Sequence, residues 1–184
     1  MDLNQWFEKG ISPDDYIDLL DKHKESFLHI YKHFTLPTDE TFFQTIRKKN
    51  LRAIAISEVW CGHCMLNIPI LLLLAEQTDM AVSILPRDQH LELMDHYLTN
   101  GKRIIPIIIF IDEDGHEVAK WGPMTEKMKK FVDKQKQTLP SKQDAQYKEK
   151  VKAFITSLSK SFSENRNIWN DSYASMKQTL MNIK

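Results

Sequence analysis

Hydrophobic positions recur in this chain with two different periods, and the switches between them outline its elements. Ile17, Leu20, Phe27, Ile30, Tyr31 and Phe34 fall close to helical spacing behind Ser12-Pro13-Asp14-Asp15. Serine can cap a helix, proline fits its first turn, and two acids suit the positive end of its dipole. This predicts one helix that ends before Pro37. Thr38-Asp39-Glu40 starts a second, through Phe42, Phe43 and Ile46. Residues 51–57 read as a strand. Trp60-Cys61-Gly62-His63-Cys64 then opens a long apolar helix to residue 76 or 77. Residues 80–85 read as another strand, and 88–100 as a helix with Gly101 as its C-cap. Residues 107–111 are a continuous apolar run, as expected of a buried strand. Asp112-Glu113-Asp114-Gly115 is a hairpin turn and 116–121 its second strand. Gly122-Pro123 breaks the chain before a helix over 125–137. Ser141 can cap a further helix through Val151, Phe154, Ile155 and Leu158, and a last one runs from Ile168 to the end.

This order predicts an α/β fold, a mixed sheet flanked by helices. The first two strands should run parallel through a right-handed crossover, and the hairpin must add an antiparallel strand. Three parts are expected: an N-terminal helical extension (1–37) packed on the core, a central α/β domain (38–137) and a C-terminal helical extension (138–184). Trp6, Phe7, Phe27, Phe34, Phe42 and Phe43 should pack the first helices onto the sheet, and Trp121 and Trp169 should anchor the C-terminal part.

Composition narrows the function classes. With 184 residues the chain can bury a real core without disulfides or metal as staples. Lys+Arg and Asp+Glu are both 25, so a chain-wide attraction to nucleic acid or to an anionic membrane is not expected. Met1-Asp2-Leu3-Asn4-Gln5-Trp6 lacks the basic start, apolar stretch and cleavage site of a signal peptide. The most apolar segment, 68–75, is interrupted by Pro69 and far shorter than the roughly 20 residues a membrane span needs. A cytoplasmic chain without a membrane partner is the expectation. Between Lys120 and Lys152 stand ten lysines against four acids. This reads as a solvated helical face, with a docking patch for an acidic partner as the alternative.

The chemistry lies in the two cysteines, Cys61 and Cys64. A thiolate attacks a disulfide, and a free cysteine, with a pKa of about 8.5, is mostly protonated at neutral pH. At the start of a helix the first sulfur faces unpaired N–H groups and the positive end of the dipole, which favour the anion. Cys61 is therefore the expected nucleophile. Cys64 lies one helical turn on, where it can attack a mixed disulfide at Cys61 and release the substrate. The reaction needs no cofactor beyond the redox-active pair. A protonated or polarised His63 would stabilise the Cys61 thiolate and make the disulfide a better oxidant.

Several separated features resemble the thioredoxin superfamily over residues 38–137. Trp60 precedes the pair, Gly62-His63 looks like the protein disulfide isomerase version, and Pro69 matches the proline that kinks the active-site helix. Ile105-Pro106 precedes a strand, as does the family's cis-proline, which packs beside the cysteines and helps to bind the substrate backbone. Phe110 followed by Gly115 resembles the closing hairpin, and Gly122 resembles the glycine beyond it. The resemblance implies thiolate tuning and substrate contact at Trp60, Gly62, His63, Ile105, Pro106 and Gly122. The implied partners are proteins that carry disulfides, and a thiol or reductase as electron donor.

Departures are as informative. Ala55 stands where the family often has a buried acid, and an apolar residue near Ile84 replaces that acid's lysine partner. Water or Glu58 is then the candidate for deprotonating Cys64. No first strand precedes Thr38, so a four-stranded sheet is expected. The helical ends look like those of a little-described bacterial group of thioredoxin-like proteins.

Two rival readings stand beside this one. A structural zinc site usually has four ligands, so histidines would have to complete the cysteine pair. His90, His96 and His116 lack close pairing, and His29 and His33 are four apart on a helix. The other rival is a thioredoxin-like binding or scaffold module whose cysteines have little catalytic use. With five glycines there is no phosphate loop, and no Ser-His-Asp or paired-carboxylate pattern has local support. Reduction of protein disulfides is the expected direction, favoured by the missing signal peptide and by Ile105 before the proline, while His63 pulls toward an oxidant or isomerase; oligomeric state and the role of the terminal helices are open at this level.

Overall fold

The computed structural model describes residues 1–183. Its N-terminal part holds α1 (Leu3–Lys9), α2 (Pro13–Leu19), α3 (Lys24–His33) and α4 (Glu40–Arg47). The central part runs β1 (Arg52–Ser57), α5 (Gly62–Thr78), β2 (Ala81–Pro86), α6 (Leu91–Asp95), β3 (Ile107–Ile111), β4 (Glu117–Trp121) and α7 (Glu126–Gln137). Then α8 (Tyr147–Glu164) and α9 (Arg166–Met181) follow.

Side-chain oxygens cap many of the helices where the sequence offers them. Ser12 Oγ accepts from the Asp15 N–H at 3.1 Å, Asp39 Oδ1 from Phe42 at 3.1 Å and Thr125 Oγ1 from Met128 at 3.0 Å. Three expected helices have different limits. The one helix read from Pro13 to Phe34 is two, α2 and α3, because residues 21–26 are all polar and give that stretch nothing to bury. The turn lets Tyr16 and Leu20 as well as Phe27 and Ile30 reach the core. In place of a helix over 88–100 there is a 3-10 turn (Arg87–Gln89) and the five-residue α6. His90 interrupts the helix at φ −130° and ψ 47°. Asn100 and Gly101, both at positive φ, turn the chain so that Thr99 and Lys102 pair. Further on, α8 starts at Tyr147 because 141–146 are held in turns, with Asp144 Oδ1 accepting from the Gln146 N–H at 2.7 Å.

The sheet is mixed and four-stranded, in the order β2-β1-β3-β4. β1 and β2 are parallel, while β3 is antiparallel to both β1 and β4. No strand precedes β1. Ile11, between α1 and α2, makes a single antiparallel bridge to Ile84 through two hydrogen bonds of 2.9 Å and so covers the β2 edge.

α5 is apolar on every side. It packs against α3, α4, α8 and α9 as well as β2, and Met65, Leu66, Ile68, Ile70, Leu71 and Leu74 are all buried. The terminal helices belong to the same core. Phe27, Ile30 and Phe34 of the N-terminal part and Trp169, Tyr173, Met176 and Leu180 of α9 are buried with the sheet residues. Among the described residues no helix is long and apolar enough to cross a membrane.

Candidate active site

Cys61 is the N-cap of α5, with extended backbone at φ −87° and ψ 116°. A helix start leaves N–H groups without intrahelical acceptors. The Cys61 sulfur takes up that role: the Cys64 N–H donates to it at 3.2 Å. The Cys64 thiol also donates to it and is the largest influence holding the Cys61 thiol below its ordinary range. Burial opposes this, while the Cys64 and His63 N–H groups and the nearby Arg87 charge reinforce it. Both cysteines are free thiols.

Cys64 behaves in the opposite way. It is fully buried, and burial, then the neighbouring Cys61, push its thiol well up. Two donors pull it back, the Ser57 hydroxyl and the Glu58 N–H. Ser57 in turn lies 2.9 Å from the Tyr16 hydroxyl, which also donates to the Glu58 carbonyl at 3.2 Å. Tyr16 and Ser57 are both buried, and burial raises the phenol far above its ordinary range. This chain of hydroxyls beneath Cys64 was not anticipated from sequence. One signal was present: Ser57 lies two residues beyond Ala55, on the same face of β1, because side chains alternate along a strand. Nothing local pointed to Tyr16, which comes from α2.

The expected apolar pair is in place, since Ala55 lies opposite Ile84 in the β1–β2 register. The Glu58 carboxylate, the candidate base, is engaged elsewhere: its Oε1 accepts from the Asp88 N–H at 2.7 Å. Glu58 touches Cys64 through its backbone N–H instead.

The role expected for His63 needs correction. Its ring packs on Phe162 of α8 at 4.9 Å, and its buried Nδ1 has no hydrogen-bond partner. Burial, with a smaller effect of Lys136, pushes its pKa down to about 4. The imidazole is therefore neutral at pH 7 and holds no positive charge beside Cys61. His63 serves the thiolate through its backbone N–H.

The remaining site residues form the rim. Trp60 is 46% exposed, with the Arg87 guanidinium over its ring at 4.8 Å and the His23 Nε2–H donating to its carbonyl at 3.2 Å. Gly62 begins α5, and a side chain there would reach Ser159 of α8. The Ile105–Pro106 peptide is cis, and the Ile105 carbonyl oxygen lies 3.8 Å from Cys61 Sγ. Gly122 has φ +118°, and a Cβ there would stand 2.2 Å from the Pro106 carbonyl oxygen, so only glycine fits against this loop. The Gly122–Pro123 peptide is also cis.

Among the described residues, no histidine side chain joins the cysteines as a ligand. His29 and His33 stack on each other at 4.4 Å, His90 packs edge-on to Trp6 and His116 pairs with Asp112. Among the described residues, no three His, Cys, Asp or Glu side chains converge as a metal site.

Comparison with known proteins bears on the fold. No curated protein matches the sequence. Among solved structures, a protein of unknown function from Pseudomonas aeruginosa is 12% identical, with a TM-score of 0.65, over 97% of this chain and 98% of its own. An HIV epitope-scaffold protein is 16% identical, with a TM-score of 0.61, over 97% of this chain and 99% of its own. Both likenesses take in the terminal helices. The thioredoxin of Fasciola hepatica is 24% identical over 52% of this chain and 88% of its own, with a TM-score of 0.35. The family described as Thioredoxin matches residues 10–146, a wider span than the motifs at 38–137. With most of its length inside that match, and its cysteine pair at the head of the helix that follows β1, the chain belongs to the thioredoxin family.

Proposed function

We propose that the protein is a thiol-disulfide oxidoreductase acting on disulfides of other proteins. One observation carries this reading: the two sulfurs are prepared for different tasks. Cys61 caps a helix N-terminus, where the Cys64 N–H donates to its sulfur at 3.2 Å and its thiol is held below the ordinary range, while Cys64 is fully buried and its thiol is pushed up.

The Cys61 thiolate attacks one sulfur of a substrate disulfide. The substrate S–S bond breaks, a Cys61–substrate disulfide forms, and the first substrate sulfur leaves as a thiolate that takes a proton. Cys64 then loses its proton and attacks Cys61 Sγ, the sulfur to which its own S–H already points. The second substrate thiolate leaves, and Cys61 and Cys64 close their disulfide. Two electrons pass to the substrate, and an external thiol or reductase returns them. As the Cys64 anion develops, the Ser57 hydroxyl donates to it, and the Tyr16 hydroxyl supports Ser57 by turning its one proton from the Glu58 carbonyl to Ser57 Oγ. These two neutral groups stand in for the missing buried acid at Ala55 by stabilising charge rather than by carrying a proton.

Reduction of substrates is the proposed direction, in a reducing cytoplasm. The neutral His63 supports it, because without an imidazolium beside Cys61 one force toward a more oxidising couple is absent.

Two substitutions test the reading. Cys61→Ser should abolish exchange with a protein disulfide, and Cys64→Ser should accumulate mixed disulfides that a reductant releases. Equilibration with thiol/disulfide buffers should give a potential near the thioredoxin value of about −270 mV rather than the isomerase value of about −180 mV. A Cys61→Ser protein that exchanges at the wild-type rate, or a wild-type pair that forms no disulfide at any poise, sinks the proposal.

A further inference from the structure

The face that carries the cysteine pair is not open as a flat surface. α8 runs across it, and Phe162 closes over His63. Between α8 and the rim of the pair lies a groove of about 770 Å³. Trp60, Ile104 and Met124 form one apolar side, and Phe154, Ile155 and Leu158 of α8 form the other. Trp60 and Ile155 are 46% and 55% exposed, so both sides offer apolar surface to an occupant.

The charge of this groove is one-sided. Lys22, Lys136 and Lys160 line it, and among the described residues no acidic side chain does. This stands out in a chain with 25 basic and 25 acidic residues. The three lysines come from three separate stretches of sequence: the α2–α3 turn, α7 and α8. Among the described residues, no carboxylate forms an ion pair with any of them. Arg87 adds a fourth cation at the Trp60 end of the site, partly offset by Asp88. An occupant that brings no negative charge would leave these cations mutually repelling across the groove. An occupant with carboxylates beside an apolar residue satisfies both features at once.

We infer that this groove is the substrate-docking site, and that it selects disulfide-bearing polypeptide segments with an apolar residue and flanking acids next to the reactive cysteine. The inference rests on the proposed thiol-disulfide exchange for the disulfide itself, but the groove's preference for charge does not depend on that chemistry. It also gives the terminal helices a function. They wall the cysteine pair and supply two of the three groove lysines, so the thioredoxin core receives a specificity that its own rim does not encode.

Binding and exchange are measured separately. Two labelled peptides are compared on the full-length protein, Leu-Ser-Phe flanked by acids and the same core flanked by lysines. Serine stands for the reactive cysteine, so affinity reads the groove without redox chemistry. At low ionic strength the acidic peptide should bind about tenfold more tightly or better, and raising the salt to about 1 M, where the Debye length falls to about 3 Å, should remove most of that advantage. The Lys136→Glu/Lys160→Glu variant, changed at two exposed helix positions, should lose or reverse the preference. Exchange is followed on the unmodified protein with the small neutral disulfide dithiodiethanol, which carries neither the acids nor the apolar residue that the groove selects. Equal affinity for the two peptides, or a preference that survives the double reversal, overturns the assignment of the groove. A retained acidic preference in a protein that exchanges no disulfide overturns the redox reading and leaves the groove standing.

Discussion

Ala55 and Ser57 share one face of β1, and the step between them moves a polar group from the buried-acid position to the sulfur of Cys64. Ser57→Ala removes a hydroxyl that donates to a developing thiolate. A hydrogen bond to a charged group is worth about 1.5–3 kcal/mol, so resolution of a mixed disulfide should slow about tenfold or more. Tyr16→Phe, one bond further away, should slow it less. In Ser57→Ala the pH profile of resolution should move up, while alkylation of Cys61 at neutral pH stays unchanged. Rapid-mixing kinetics on a preformed mixed disulfide measure resolution, alkylation of the reduced protein measures Cys61, and an unshifted resolution profile removes the role given to Ser57. His63 makes a second prediction, on stability. Its folded pKa of about 4 lies below the ordinary 6.5, so the unfolded chain takes up a proton that the native ring refuses. Stability is therefore full above about pH 6.5 and is lost as the pH falls toward 4. At about 1.36 kcal/mol per unit, the loss between pH 7 and 4.5 should be on the order of 2–3 kcal/mol larger in wild type than in His63→Phe. Urea unfolding at the two pH values measures this difference.

Each element that carries the site is fixed by a contact at its end. α5 begins on the sulfur of Cys61, so the nucleophile is also the helix cap. β3 begins after Pro106, and β4 ends one residue before the glycine that lies against the Pro106 carbonyl. Gly122→Ala places a methyl 2.2 Å from that oxygen in a backbone conformation that disfavours side chains. The loop must move away from Cys61, at a cost above the roughly 1–3 kcal/mol of backbone strain alone. Gly101→Ala is the control: its φ is +70°, but no atom lies within 4 Å of the added carbon. Thermal unfolding should show a clearly larger fall in Tm for Gly122→Ala, and equal falls would remove the clash as a cause. The same scale explains the misread helices. Periodicity joined residues 13–34 into one helix because it weighs apolar positions and not the polar gap between them. The stretch 88–100 has helical spacing, but His90 and the Asn100–Gly101 turn leave only five residues of it as α6.

Across the whole molecule, the terminal helices are part of the core rather than attachments to it. Trp169 of α9 is 1% exposed, donates its Nε1–H to the Phe162 carbonyl at 2.6 Å and meets Phe34 of the N-terminal part edge-on. Trp169→Ala should cost about 3–5 kcal/mol, while Ile155→Ala on the exposed groove wall should stay within about 0.5 kcal/mol. Denaturant unfolding of the two variants checks the contrast, and a small loss at Trp169 would mean that α9 is not integral to the core. What the sequence determined by itself was local or periodic. The strands, the hairpin turn, the four-stranded mixed sheet and the helix opening on Cys61 follow from alternation, apolar runs and capping residues, which act over a few neighbours. The aromatic anchors followed too, because large apolar side chains are buried wherever the chain takes them. Tertiary structure alone decided which distant groups meet. It brought Tyr16 of α2 to Ser57 and Cys64, packed the half-buried His63 ring on Phe162, and gathered three lysines around one groove. Those outcomes depend on burial and on contacts between residues far apart in the chain, 41 positions from Tyr16 to Ser57, and no local pattern encodes either.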